Sequence, residues 1–151
     1  MSAMDPIPFE PVGADFAGWP MPVSVPSGLA LELSRARLLD GREASFDAWM
    51  ETLHERYDEC LATLPGEQMA FEATFLNREA DGSWWMYHLQ VRGVDSPGLQ
   101  LDNDLDRTHQ AFAIATKHRG WEELQPRLFL APAQVRDAMV AAARPLSQPE
   151  G

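Results

Sequence analysis

Two runs of alternating residues, Met69 to Leu76 and Trp84 to Val91, flank the turn-forming segment Asn77-Arg78-Glu79-Ala80-Asp81-Gly82. The pattern predicts a β-hairpin. Its odd positions (Met69, Phe71, Ala73, Phe75, Trp85, Tyr87, Leu89, Val91) are apolar and are expected to pack under helices. The even positions Ala70, Glu72, Thr74, Leu76, Trp84, Met86, His88 and Gln90 mix carboxylate, imidazole, thioether and indole on the opposite face, a composition that suits a cavity better than open water. A hairpin symmetric about Ala80 sets Glu72 across from His88, whereas a register two residues away sets Thr74 or Ala70 there.

Upstream, Leu29 to Leu38 alternates again, with Leu29, Leu31 and Leu33 on one side and Ala30, Glu32, Ser34 and Ala36 on the other, and predicts a first strand. From Gly41 the apolar residues Phe46, Trp49, Met50, Leu53, Tyr57, Cys60, Leu61 and Leu64 recur at three- and four-residue spacing until Pro65-Gly66, the pattern of one long amphipathic helix. After the hairpin and a loop at Gly93 to Gly98, a second helix is expected from near Asp104 to about His118. A short fourth strand is expected at Arg127 to Ala131, and a last helix at Ala133 to Ala143, opened by Pro132. The order is that of an α+β, ferredoxin-like βαββαβ antiparallel sheet with helices on one face and an extra C-terminal helix. With both crossover helices on the odd face, the even face lacks a cover from its own chain. A second copy is then the expected lid, giving a dimeric α+β barrel.

Composition narrows the class. The chain has 151 residues and 45% hydrophobic content, enough for one domain with tails. Residues 1–28 hold six of the twelve prolines and no Lys or Arg, and read as an extended arm. Its Phe9, Phe16 and Trp19 suit docking on the body or on a partner subunit, the alternative being a mostly mobile tail. The domain itself is expected over 29–145, and residues 146–151 as a frayed tail. Twelve basic against 23 acidic residues give a formal charge of −11, which disfavours nucleic acid and anionic membrane surfaces. Cys60 is the single cysteine and rules out an internal disulfide or a cysteine-based zinc cluster. No secretory signal or membrane span is expected, so the cytoplasm is the expected location.

Several short motifs resemble a bacterial family of uncharacterised proteins usually placed with the dimeric α+β barrels. They are Arg35-Ala36-Arg37-Leu38-Leu39-Asp40-Gly41-Arg42, Tyr57 to Leu64, Glu72-Ala73-Thr74-Phe75-Leu76 and Asp106-Arg107-Thr108-His109. The most specific is the acid followed three places on by histidine, Asp106 and His109. The resemblance covers about residues 30 to 115 and leaves out the arm and the C-terminal helix. It implies a fold and a homodimer, and no reaction, because the fold hosts many chemistries.

The candidate chemistry is proton transfer. His88 with Glu72 on the half-apolar even face forms one acid–base pair, for which the bland alternative is a satisfied polar bridge. Asp106 and His109, on one side of a helix, form a second, where the carboxylate would fix the imidazole tautomer; the alternative is a surface ion pair. Glu32, Ser34, Thr74 and Gln90 are expected to contact a ligand, with Trp84 and Met86 as its apolar wall. Asp102 to Asp106 fails as a calcium loop, since Arg107 stands where glycine is required. No phosphate cradle, dinucleotide fingerprint or serine elbow is present. The expected protein is a small cofactor-independent enzyme of cyclase, isomerase, dehydratase or hydrolase type, handling a biosynthetic or secondary-metabolic intermediate. Its alternative is a non-catalytic small-ligand-binding or dimerisation module. No cofactor or metal is expected; haem, or a metal ion on His88, His109 and a carboxylate, is the alternative there.

Overall fold

The computed structural model describes residues 8–98 and 102–145; the expected frayed tail at 146–151 lies outside them. The elements run β1 (Leu29–Arg37), α1 (Glu43–Glu55), α2 (Tyr57–Thr63), β2 (Met69–Arg78), β3 (Trp84–Gly93), α3 (Asp104–Thr116), β4 (Glu122–Leu124) and α4 (Ala133–Ala142). Among the described residues, the strands form one four-stranded antiparallel sheet in the order β2-β3-β1-β4. That is the ferredoxin-like α+β arrangement, with the central pair supplied by β3 and β1.

The crossover helices lie on the even face, not on the odd one. Phe46 and Trp49 of α1 join Ala36, Leu38 and Met86 in one core, with Leu76, Trp84 and Phe112 packed against it. The even face is apolar near the hairpin turn and polar towards its other end, and its apolar half accepts the aromatic residues of α1 and α3. Trp84 and Met86 are therefore part of this core rather than the wall of an intersubunit cavity. A second copy is not required to hide this half of the face.

The odd face is covered by the two ends of the chain. Val25 and Met21 of the arm pack with Leu29, Val91, Phe71 and Phe129, and with Met139 and Ala143 at α4. Near the other end, Phe9 meets the fully buried Trp85 edge-on at 5.4 Å. Trp49 and Trp85, exposed by 2% and 0%, anchor opposite sides of the sheet. Each removes roughly 200 Å² of surface from water, on the order of 5 kcal/mol before chain entropy is charged against it. The arm is further held by Val12 N donating to Trp121 O and Trp19 Nε1 donating to Glu123 O, at 2.8 and 2.9 Å.

Two boundaries depart from the periodic pattern. The expected single helix breaks at Arg56 (φ −105°, ψ 32°), whose guanidinium reaches Asp104 at the start of α3, 3.1 Å away. The fourth strand forms at Glu122–Leu124 instead of at 127–131. Glu122 locks it to β1 through Arg35 at 2.7 Å, while Phe129 turns into the odd-face core and its amide donates to Ser24 Oγ. Helix α3 is capped by Asn103, whose side chain accepts from the amides of Leu105 and Asp106.

Candidate functional site

The polar half of the even face runs unbroken across all four strands. Glu32 pairs with Gln90, and Gln90 with Glu72; one row further, Glu123 pairs with Ser34, Ser34 with His88, and His88 with Thr74. The hairpin thus takes the register two residues away from the symmetric one, with a bulge between Met69 and Phe71. Glu72 nevertheless reaches His88 diagonally, its Oε2 lying 3.4 Å from Nε2. His88 Nε2 also lies 3.1 Å from Gln90 Oε1, and Nδ1 lies 3.3 Å from Thr74 Oγ1.

Beyond Gln90 the strip becomes an ion cluster. Gln90 Nε2 donates to Glu32 Oε1 at 2.9 Å, and Arg92 Nε donates to the same oxygen. Burial alone would raise the Glu32 carboxyl, but the bonds from Arg92 and Gln90 hold it below the usual carboxylate range. Glu123 is pushed the other way, first by burial and then by its bond to the Glu32 charge. Glu72 is held low mainly by its bond to His88, against the opposing effect of burial.

His109 of α3 overlooks this strip from the apolar side. Its Nδ1 accepts the indole hydrogen of Trp49 at 3.0 Å, with the two rings edge-to-face at 4.9 Å. Burial holds the His109 imidazole below its ordinary range, and the charges of Glu72 and Asp106 oppose that only in part. Trp49, rather than Asp106 as expected, therefore takes up Nδ1.

Asp106 belongs to a different feature, a cavity of about 360 Å³ between the turn after α2 and the first turn of α3. It is lined by Ala62, Thr63, Gly66, Glu67, Asp102, Asn103 and Asp106, together with Pro65. Glu67 and Asp106 are 6% and 4% exposed and are hydrogen-bonded to each other; burial, then the charges of Asp106 and Glu72, push the Glu67 carboxyl up to about 7. A buried carboxyl beside a carboxylate keeps a proton that would otherwise leave near 4.5. The turn that holds Glu67 is tightly tied: its amide donates to the carbonyls of Thr63 and Leu64, and Ser96 Oγ donates to its carbonyl. The next residue, Gln68, adopts φ 52°, a left-handed conformation unusual for a side chain of this kind.

Of the two expected acid–base pairs, Glu72 and His88 are brought together, whereas His109 and Asp106 take other partners, Trp49 and Glu67; the Glu72 charge acts on His88, His109 and Glu67 alike. Glu32, Ser34, Thr74 and Gln90 lie in the polar half of the even face with Glu72 and His88, whereas Trp84 and Met86 lie in its apolar half, beneath α1 and α3. Among the described residues, no three His, Cys, Asp or Glu side chains are gathered as ligands for a metal ion. Sequence reasoning missed Glu67, Trp49, Arg92 and Glu123. Glu67 follows the helix-stopping Pro65-Gly66 and precedes the alternation of β2, so no periodicity marks it as buried. Glu123 lay outside the strand expected at 127–131.

Among the described residues, no helix is long and apolar enough to cross a membrane. No curated protein matches the chain, and no solved structure matches it. A family profile does match, over residues 29–137, a span that includes the Asp106–His109 motif and runs past the expected limit near residue 115 into α4. The chain belongs to this family, DUF6176, a family of unknown function.

Proposed function

We propose that the protein is a small enzyme that uses no organic cofactor and moves protons on a compact, partly apolar organic molecule. The observation that carries this reading is the buried Glu67–Asp106 carboxyl pair on the wall of an open cavity. A carboxyl that keeps its proton near neutrality is a general acid, and the Glu72–His88 pair, which lies outside the cavity lining but close enough for the Glu72 charge to act on Glu67, is the base. His109, neutral and oriented by Trp49, supplies a hydrogen-bond donor at Nε2. Isomerisation, cyclisation, dehydration and hydrolysis can all use such groups, and a biosynthetic intermediate suits the size of the cavity. The acidic lining disfavours an anionic substrate. Cytoplasmic location fits the free Cys60 thiol. A homodimer belongs to the reading through the odd face, where Phe75 and Leu124 remain 54% and 40% exposed.

A thermal-shift screen of compact metabolites, followed by turnover assays on each hit, tests this. The expected outcome is a stabilising compound that is consumed, with turnover reduced at least roughly 100-fold in both His88→Ala and Glu67→Gln. Full turnover in both His88→Ala and His109→Ala contradicts the assignment. The second reading, a non-catalytic binding module, is favoured by the partners that His88 finds at both ring nitrogens. It predicts a ligand that is bound and never altered.

A further inference from the structure

The hydrogen bonds around His88 form a chain whose direction is dictated at its far end. Glu32, an ionised carboxylate, can only accept, and it receives hydrogens from Arg92 Nε and Gln90 Nε2. The Gln90 amide must therefore turn its nitrogen to Glu32 and its carbonyl oxygen to His88. That oxygen, 3.1 Å from His88 Nε2, also only accepts, so Nε2 has to carry hydrogen. In a neutral imidazole the lone pair is then on Nδ1, where the Thr74 hydroxyl, 3.3 Å away, donates to it. We infer that Gln90 and Glu32 are positioning residues that hold His88 as its Nε2–H tautomer, making Nδ1, beside Thr74, the nitrogen that gains and loses the proton.

The inference deepens the reading of His88 as the acid–base group and reassigns the role of its neighbours. Glu72, 3.4 Å from Nε2, is the more distant acceptor for that hydrogen, and its part is to stabilise the charged ring rather than to orient the neutral one. Thr74 becomes the group that a substrate displaces, or through which it reaches the base. The amide and carboxylate that set the tautomer come from β3 and β1, while the charge partner and the hydroxyl come from β2. The orientation of the base is thus fixed by strands other than the edge strand that carries Glu72 and Thr74.

Ring ¹⁵N shifts of histidine-labelled protein report the tautomer in the resting state, whatever the substrate. They are read about two pH units above the titration of a free imidazole. Three proteins separate the candidates: wild type, Glu72→Gln, and Glu72→Gln with Gln90→Met, a substitution of similar shape without the carbonyl. His88 is expected to be predominantly Nε2–H in the first two. In the third, the tautomer ratio should fall by about fivefold or more, the equivalent of one ordinary hydrogen bond. Glu32→Gln in place of Gln90→Met frees the amide to turn over and should give the same loss, which covers the case of a double variant that does not fold. Three results each overturn the inference: Nδ1–H in wild type, mixed tautomers in Glu72→Gln alone, or an unchanged ratio once the amide is removed or freed. Loss of turnover in His88→Ala together with a failed lock would leave the proposed function standing, and an intact lock with full turnover in His88→Ala would remove the function alone.

Discussion

The indole nitrogen of Trp49 donates to Nδ1 of His109 at 3.0 Å, and an indole N–H has nothing to offer a protonated imidazole in return. The bond therefore lasts only while His109 is neutral, and burial favours the same state. Because the folded-state proton affinity of His109 is depressed, the unfolded chain binds the extra proton in acid, and this residue withdraws stability as pH falls below about 6.5, the value for a free imidazole. Trp49→Phe should cost about 2–3 kcal/mol through the lost bond and the cavity it leaves. It should also raise the His109 titration midpoint, as checked by chemical denaturation and by ring NMR.

Glu67 is linked to pH with the opposite sign. Its raised folded-state affinity contributes stability that is complete below about 4.5 and lost as pH rises through about 7. Glu67→Gln imitates the protonated carboxyl and can still donate to Asp106. It should unfold like wild type in acid and be more stable above pH 7 by an amount on the order of 2 kcal/mol. Denaturation midpoints at a series of pH values decide this; a variant less stable than wild type throughout the range would contradict the protonated pair.

The end of β3 meets α4 at Gly93, where an added Cβ would lie 2.5 Å from the Ala143 carbonyl and 2.7 Å from Gln68 Oε1. The Gln68 side chain can swing aside, but the Ala143 carbonyl is backbone at the end of α4 and cannot retreat without disturbing the odd-face core, of which Ala143 is part. Gly93→Ala should therefore destabilise by about 2–4 kcal/mol. A thermal midpoint within a degree of wild type would show that α4 is not packed as described.

Arg35 joins two elements, lying over the Trp85 ring at 4.5 Å and bonding Glu122 of β4 at 2.7 Å. Because β4 is only three residues long, this side chain is a main tie of that strand to the sheet. Arg35→Ala should lower stability by about 1–2 kcal/mol and speed amide exchange at Leu33 and Arg35, which pair with β4. Exchange unchanged there would place the tie elsewhere.

How much of this was legible in the sequence differs from element to element. Alternation marked β1, β2 and β3 because a strand with one polar and one apolar row leaves a period of two. It could not tell which row the helices cover, since both faces of this sheet are buried in part: the odd row by the arm and α4, and the apolar half of the even row by Phe46, Trp49 and Phe112. The fourth strand was expected at Arg127 to Ala131 and forms at Glu122–Leu124 because Glu122 and Glu123 owe their places to Arg35 and to the cluster around Glu32, partners that are distant in sequence. Leu128 and Leu130, within the range expected as a strand, are 66% and 80% exposed. His88, Glu72, His109 and Asp106 were visible as chemistry-bearing residues on patterned elements. Glu67 was not, because its burial follows from a tertiary turn rather than from any repeat.

The protonated carboxyl in the cavity wall is best tested by following the side-chain carboxyl ¹³C resonance of Glu67 through a pH titration. The predicted midpoint is about 7, falling towards the ordinary glutamate range in Asp106→Asn, where the neighbouring charge is gone. A midpoint near 4.5 in the wild-type protein, unmoved by Asp106→Asn, would contradict the account.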